Sequence, residues 1–290
     1  MGLKTTVSHN CTLLEVLQEL YPQSPRTRIK KNLKHKNVVC NGKVVTLYSY
    51  QLKSGDVVEV NTSTPKRAKA PFPVLYEDND VIVVDKPVGI STSSTDYSAN
   101  VYHTLSGFLK DQSKGRIKAY VVHRLDKEVS GVLLFAKSEK AMNIIKDNWK
   151  ETKKLYYALV EGKPKEEEGT IESWLVENKN LKVYSTHTQT EKAKFAITHY
   201  RTIKQLNEYT LLEVNIETGR KNQIRVHMSD LGCPIVGDRK YNGAVDFVRR
   251  VRLHAIYLSF PHPITKEIIK VESNLPKGFL IVKDGNENYK

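Results

Sequence analysis

An α+β protein in two domains is what this 290-residue sequence predicts. Three observations carry the expectation. Apolar runs of strand length recur along most of the chain, with amphipathic helical stretches interspersed. A short N-terminal segment combines two helices, a hairpin and a closing strand. Between it and the remainder lies NTSTPKRAKAPFP, residues 61–73, which is small, polar, basic and proline-containing, with no apolar period, and reads as a linker. The expected division is a domain over 1–62, a linker over 63–73 and a larger domain over 74–290.

In the N-terminal segment, TLLEVLQEL at 12–20 sets Leu13, Leu14, Leu17 and Leu20 roughly on one helical face. SPRTRIKKNLKHK follows, with Ser24 as N-cap, Pro25 at the first helical position, and Ile29 and Leu33 as an inner face one turn apart. Arg26, Arg28, Lys30, Lys31, Lys34 and Lys36 surround that stripe without an acid among them. Like charges a turn apart repel, so a helix that only needs solubility mixes signs. A polyanion contact is the better reading. NVVCNGKVV then predicts a hairpin turned at Asn41-Gly42, and LKSGDVVEV a turn and a strand ending near Val60.

Beyond the linker, VIVV at 81–84 is a short buried strand running into DKPVG. Ser138 caps a helix through Lys150, with Ala141, Ile144, Ile145 and Trp149 inward. LYYALV at 155–160 is apolar on both faces, as a doubly covered strand requires. Residues 193–203 and 209–216 read as two strands joined through Gln205-Leu206-Asn207-Glu208. NQIRVHMSDLG is a helix closed by Gly232. Glu166, Glu167 and Glu168 are expected in an exposed loop.

Charge narrows the function classes. The net charge is +14, of which residues 1–70 carry +8, so a dense polyanion is met first by the N-terminal segment. No apolar run is long enough for a transmembrane helix, and MGLKTTVSHN lacks the apolar core of a signal peptide. Cys11, Cys40 and Cys233 are odd in number and far apart, which suggests neither a disulfide framework nor a zinc site. The expectation is a reduced, cytoplasmic, nucleic-acid-associated protein.

Three segments could carry chemistry. In VVHRLDKEVSGVLLFA, residues 121–136, Asp126 lies in a loop between two buried strands, where catalytic groups are favoured. An isolated Asp more often pairs with a neighbour such as Arg124 or caps a turn. In ETGRKNQIRVH, residues 217–227, a glycine turn opens a helix with Arg220 and Arg225, a ready carboxylate or phosphate site, or simply a capped surface helix. In KKLYYALVEG, Tyr156 and Tyr157 point to opposite faces, and taken alone both read as core aromatics. Other chemistries lack support. DKPVG has no phosphate-cradle glycine pattern, His123 and His227 come without ligand spacing, and neither a GxSxG elbow nor an activated cysteine is present. No metal is expected.

Together these segments form a pattern. HRLDKEVSG, KKLYYALVEG and TGRKNQIRVHMSDLGCPIVGD, preceded by DKPVG and followed by RLHA at 252–255, closely resemble the RluA/RluD family of RNA pseudouridine synthases over residues 74 to about 272. The N-terminal helices, hairpin and GDVVEV strand, residues 11–60, resemble the small RNA-binding module named after ribosomal protein S-four. The resemblance implies a mixed, largely antiparallel central sheet in the larger domain. It implies that Asp126 is the catalytic aspartate, Tyr156 the active-site tyrosine and Arg225 the cation paired with the aspartate, leaving Tyr157 a core residue. Leu253 would line the pocket, and Arg124 would help keep the target base out of its helix. Arg220 and Asn222 are further candidate substrate contacts. Val129, where Thr or Ser is usual, and Asn222, where His is common, depart from the family pattern.

The implied reaction detaches uracil from ribose, turns it and rejoins it through carbon, so no atom is gained and no cofactor is expected. Asp126 would act as nucleophile or base, held ionised by Arg225. RNA is the expected partner, with large-subunit ribosomal RNA ahead of transfer RNA; no membrane is expected, and the chain should be a monomer. Two other classes compete: a non-catalytic RNA-binding assembly factor, and a hydrolase with paired carboxylates. The second needs an acid near Asp126, and the local candidate, Glu128, reads as a surface residue.

Overall fold

The computed structural model describes residues 3–22, 24, 26, 29–30, 33, 37–60, 69–94, 100–244 and 248–282. The chain forms two compact units, residues 1–69 and 70–290.

In the first unit, β1 (Leu3–Thr6), β6 (Val57–Val60), β3 (Val38–Cys40) and β4 (Lys43–Val44) form a four-stranded sheet in that order. A second pair joins β2 (Cys11–Thr12) to β5 (Gln51–Leu52). Helix α1 (Leu13–Leu20) starts at Thr12, whose hydroxyl accepts from Glu15 N while its own amide donates to Glu15 Oε2 at 2.7 Å. The face it buries is Leu13, Val16 and Leu17, with Leu14 and Leu20 only partly covered. That rotates the expected stripe by including Val16. The hairpin turns at Asn41 (φ 49°) and Gly42 (φ 78°), the left-handed pair that a two-residue turn demands. In the basic helix, Arg26, Ile29, Lys30 and Leu33 are helical; Ile29 and Leu33 are buried, while Arg26 and Lys30 are exposed. Pro25, Arg28, Lys31, Lys34 and Lys36 lie outside the described residues.

The second unit is built on one eleven-stranded sheet, counted among the described residues. Its strands are β7 (Val74–Glu77), β8 (Val81–Lys86), β9 (Tyr120–Val121), β10 (Ser130–Ala136), β11 (Lys153–Glu161), β12 (Glu168–Glu177), β13 (Val183–Thr186), β14 (Lys194–Leu206), β15 (Tyr209–Ile216), β16 (Leu253–Pro261) and β17 (Ile268–Glu272). The main path runs β13-β12-β14-β15-β11-β16-β10-β8-β7. Only the β10–β16 pair is parallel among the described pairings, so the sheet is mixed and largely antiparallel. Phe72, inside the stretch expected as a linker, is buried in this unit's core.

Among the described residues, three α-helices cover the sheet. The first, α2 (Val101–Ser113), was not visible in the sequence pattern: VYHTLSGFLKDQS mixes Thr, Ser and Gly into a weak period. Asn100 caps it by accepting from His103 N, and Val101, Leu105 and Leu109 pack in one cluster with Ile82, Val84, Leu133 and Phe135. Helix α3 (Glu139–Asp147) is capped by Ser138 and ends earlier than expected, passing into a 3-10 turn at Trp149–Glu151. Its Ala141 and Ile145 pack with Val81, Val83, Val132 and Leu134. Strand alternation thus gives β8 and β10 two apolar faces, each taking one helix. Helix α4 (Gln223–Asp230) ends at Gly232 (φ 78°), as read from the sequence.

One glycine sets the centre of the sheet. Gly131 has φ 116°, and a Cβ on it would lie 2.2 Å from Ala255 O and 2.7 Å from Ala255 N. Backbone, not a movable side chain, fills that space, where β10 runs parallel to β16. Gly131→Ala should therefore lower stability by about 3 kcal/mol, measured by denaturant unfolding. A midpoint equal to wild type would mean that β16 can shift freely.

Candidate active site

Asp126 opens a turn: Val129 N donates to its carbonyl at 3.1 Å. The loop is pinned from the DKPVG side. Gly89 N donates to Lys127 O at 2.8 Å, and Thr92 Oγ1 both donates to Leu125 O and accepts from Leu125 N. Beneath it Lys86 is fully buried, with Nζ donating to Pro87 O at 3.0 Å and Ile90 O at 2.8 Å. Burial pushes its pKa down to about 8, against the pull of the Asp126 and Glu128 charges.

Strand β11 brings the tyrosine. Its register against β16 slips between Leu155 and Tyr156, a bulge of the kind that re-aims a side chain. Tyr156 is buried in the main core cluster, whereas Tyr157 packs on the other face beside Leu159 and Leu211. Burial, with Asp126 nearby, raises the Tyr156 phenol well above its ordinary value, so it stays protonated.

Helix α4 supplies the cation. It is held to the sheet by polar groups: Gln223 Nε2 donates to Ile197 O and Thr198 Oγ1, and His227 shares hydrogen bonds with Thr198 and Ser173. Burial lowers the His227 pKa to about 4, so the ring is neutral near pH 7. Arg225, 4% exposed, donates from Nε to Asp238 Oδ2 at 2.6 Å and from Nη2 to Asp238 Oδ1 at 2.8 Å. Nη1 donates to Glu128 Oε2 at 3.2 Å and Asn222 Oδ1 at 3.3 Å, and lies 3.6 Å from Asp126 Oδ2. Burial would lower the Arg225 pKa, but the hydrogen bonds and charge of Asp238, then Asp126 and Glu128, hold it above the ordinary value.

Three carboxylates therefore share one guanidinium, and Asp126 receives the weakest share. Its pKa is raised: desolvation outweighs Arg225, and Glu128 adds to it. Arg225 lowers the Asp126 pKa as expected, but burial, which the sequence did not show, outweighs it. Glu128 is the surface residue expected, its side chain 46% exposed, and it also pairs with Arg225.

Asp126, Tyr156, Arg225, Arg124, Leu253, Arg220 and Asn222 all line one cleft, with Val129, Ile216 and Gln223. Arg220 precedes α4 rather than lying in it, and its Nε donates to Phe195 O at 2.9 Å. Asn222 uses both ends of its amide, accepting from Arg225 and donating to Tyr241 Oη at 2.8 Å. Asp238 is the residue sequence reasoning missed: within PIVGD it reads as a turn, with no sign of a buried partner 13 positions earlier. In a wider groove along β12, β14 and β15, Arg201 pairs with Glu213 at 2.8 Å and Thr170 shares a hydrogen bond with His199 at 2.8 Å.

The cleft can hold a flat ring against Tyr156 and Leu253, with one carboxylate beside it. Known proteins match the chain that builds this cleft. A family model described as RNA pseudouridylate synthase matches residues 80–230, and one for the S4 domain matches residues 12–58. An uncharacterized RNA pseudouridine synthase of Bacillus subtilis is 33% identical, over 87% of this chain and 86% of its own length. The ribosomal large subunit pseudouridine synthase C of Rickettsia felis is 31% identical, over 90% of this chain and 92% of its own. The solved structure of human RNA pseudouridylate synthase domain containing 1 superposes with a TM-score of 0.57 at 26% identity, over 72% of this chain and 84% of that one. Since the matched span contains the loop, the strand and the helix that form the cleft, the chain belongs to the RNA pseudouridylate synthase family.

Proposed function

We propose that this enzyme converts uridine to pseudouridine in structured RNA, with large-subunit ribosomal RNA as its substrate class and transfer RNA as the alternative. The name carried by the Rickettsia felis relative supports the ribosomal assignment. Residues 1–62 would serve as the RNA-binding domain and the second unit as the catalytic domain, the linker expected over 63–73 ending before Phe72, which belongs to the catalytic core. One observation carries the reading: Asp126 is the only carboxylate among the described residues lining the cleft.

Asp126 attacks or deprotonates the ribose, and either role requires its ionised form. Arg225, locked by Asp238, holds a fixed positive charge beside it. Tyr156 offers its ring face and a protonated hydroxyl to the detached base. Leu253 and Ile216 line the apolar side, which keeps water from the uracil while it turns. Arg124, exposed at the cleft, suits the extruded strand; swinging the uridine out costs on the order of a few kcal/mol. Glu128 bonds Arg225 rather than lining the cleft, which argues against a two-carboxylate hydrolase.

Carbodiimide mapping of total RNA, from cells with and without this gene, tests the proposal. Sites lost from large-subunit ribosomal RNA and restored by the wild-type chain support it. Sites lost only from transfer RNA would move the substrate, and no lost site would favour a non-catalytic assembly role. The pH profile gives a second check. With the Asp126 pKa raised, the acid limb of kcat/KM should lie above the ordinary carboxylate range. Glu128→Gln removes a like charge and frees Arg225 for Asp126, so the limb should move to lower pH. A limb that stays in place would leave Glu128 without influence on Asp126.

A further inference from the structure

The N-terminal unit carries a surface that the cleft does not use. In VVTLYSY, residues 44–50, Val44, Leu47, Tyr48 and Tyr50 are 54%, 57%, 48% and 42% exposed. Singly exposed apolar residues are ordinary, but here four exposed apolar or aromatic side chains fall within seven positions. The segment is firmly held. Leu13 N donates to Tyr50 O at 2.9 Å, Leu14 N to Tyr48 O at 3.1 Å, and Tyr50 N to Leu47 O at 3.2 Å. The amides that open α1 are thus satisfied by carbonyls of the same residues whose rings reach water. Little ordering entropy is left to lose when a partner arrives.

Cations frame the patch. Lys30 Nζ sits 4.7 Å from the centroid of the Tyr48 ring, and Arg26, one turn earlier in the basic helix, is exposed. Residues 1–70 carry +8, so the complementary partner is a polyanion. A duplex offers phosphates but hides its base faces. An unpaired strand offers both, and every base has a face to stack on an aromatic ring.

We propose that Tyr48 and Tyr50, with Lys30 and Arg26, form a platform for an unpaired RNA base and its flanking phosphates, so that this unit prefers looped or single-stranded RNA to duplex. The ligand class rests on the RNA reading above. Binding to the full-length chain, read by fluorescence anisotropy with labelled oligouridylate and with a duplex of equal length, tests it. Tyr48→Ala/Tyr50→Ala should weaken oligouridylate binding by about tenfold or more, with the salt slope unchanged. Tyr48→Phe should stay within about threefold, because the ring and not the hydroxyl stacks, while Tyr48→Leu should fall with the alanine variant. Lys30→Ala should instead reduce the salt slope by about 0.7.

Three results would overturn the platform: unchanged oligouridylate affinity in the double variant, an equal loss on duplex, or a loss in Tyr48→Phe as deep as in Tyr48→Leu. Sedimentation that changes from paired to single chains, with RNA affinity unchanged, would assign the patch to a second copy of this chain and equally end the proposal. If the alanine variant does not fold, the Phe and Leu comparison decides alone. Binding is read without turnover, so a chain that binds loops yet leaves uridine unchanged fails the functional reading and not this one.

Discussion

Asp126→Asn is expected to remove pseudouridine formation, with kcat falling on the order of 10⁴-fold or more, while RNA affinity stays within about tenfold. The asparagine fits the same turn, since Val129 N bonds the backbone carbonyl and not the side chain. Gly89 and Thr92 also hold the loop through backbone groups of Lys127 and Leu125, which the substitution leaves alone. What is lost is a carboxylate able to attack or to take a proton. Removing an acid that desolvation penalises should leave folding unharmed or slightly improved. Single-turnover assays on the mapped RNA, beside a binding isotherm and a thermal melt, separate the three effects. Turnover near wild type would remove Asp126 from the chemistry, whatever the melt showed.

Asp238→Asn should be costlier to the fold. Asp238 is 1% exposed and meets the Arg225 fork in a bidentate pair at 2.6 and 2.8 Å. Breaking a buried pair by neutralising one partner costs about 3–5 kcal/mol, because the other charge stays buried. A fall of roughly 10 °C in the unfolding midpoint is expected. Local shape gives little relief. Gly243 packs so closely that a Cβ there would lie 2.9 Å from Asp238 N, and Gly243 N donates to Asp238 O at 2.9 Å. Molecules that fold should still turn over at least about tenfold more slowly, since Nε and Nη2 are then free to rotate the guanidinium away from Asp126. A melting point within about 2 °C of wild type would mean that Glu128 and Asp126 alone satisfy Arg225.

Much of this was legible because it is local. The helix within 12–20, the Asn41-Gly42 hairpin, the strand from Val81 and the Gly232 helix end each follow from residues a few positions apart. The resemblance of the HRLD, KKLYYA and QIRVH segments to the family named Asp126, Tyr156 and Arg225, and the fold brings all three to one cleft. Helix α2 escaped because its buried Val101, Leu105 and Leu109 are diluted by polar and glycine positions, so packing against β8 and β10 outweighs a weak local signal.

The two-unit division, the hairpin turn and many of the strands and helices were legible in the sequence alone, because periodicity and turn chemistry are properties of neighbouring residues. Asp126 was singled out as the expected reactive acid by the resemblance of its segment to the family. The balance of burial and charge around Asp126 was decided only by the tertiary structure. Asp238 takes the Arg225 fork, Glu128 takes its remaining arm, and burial outweighs the lowering that Arg225 exerts, as expected, on the Asp126 pKa. Desolvation and the sharing of one cation among three carboxylates depend on which surfaces meet, and distance along the chain carries no record of that.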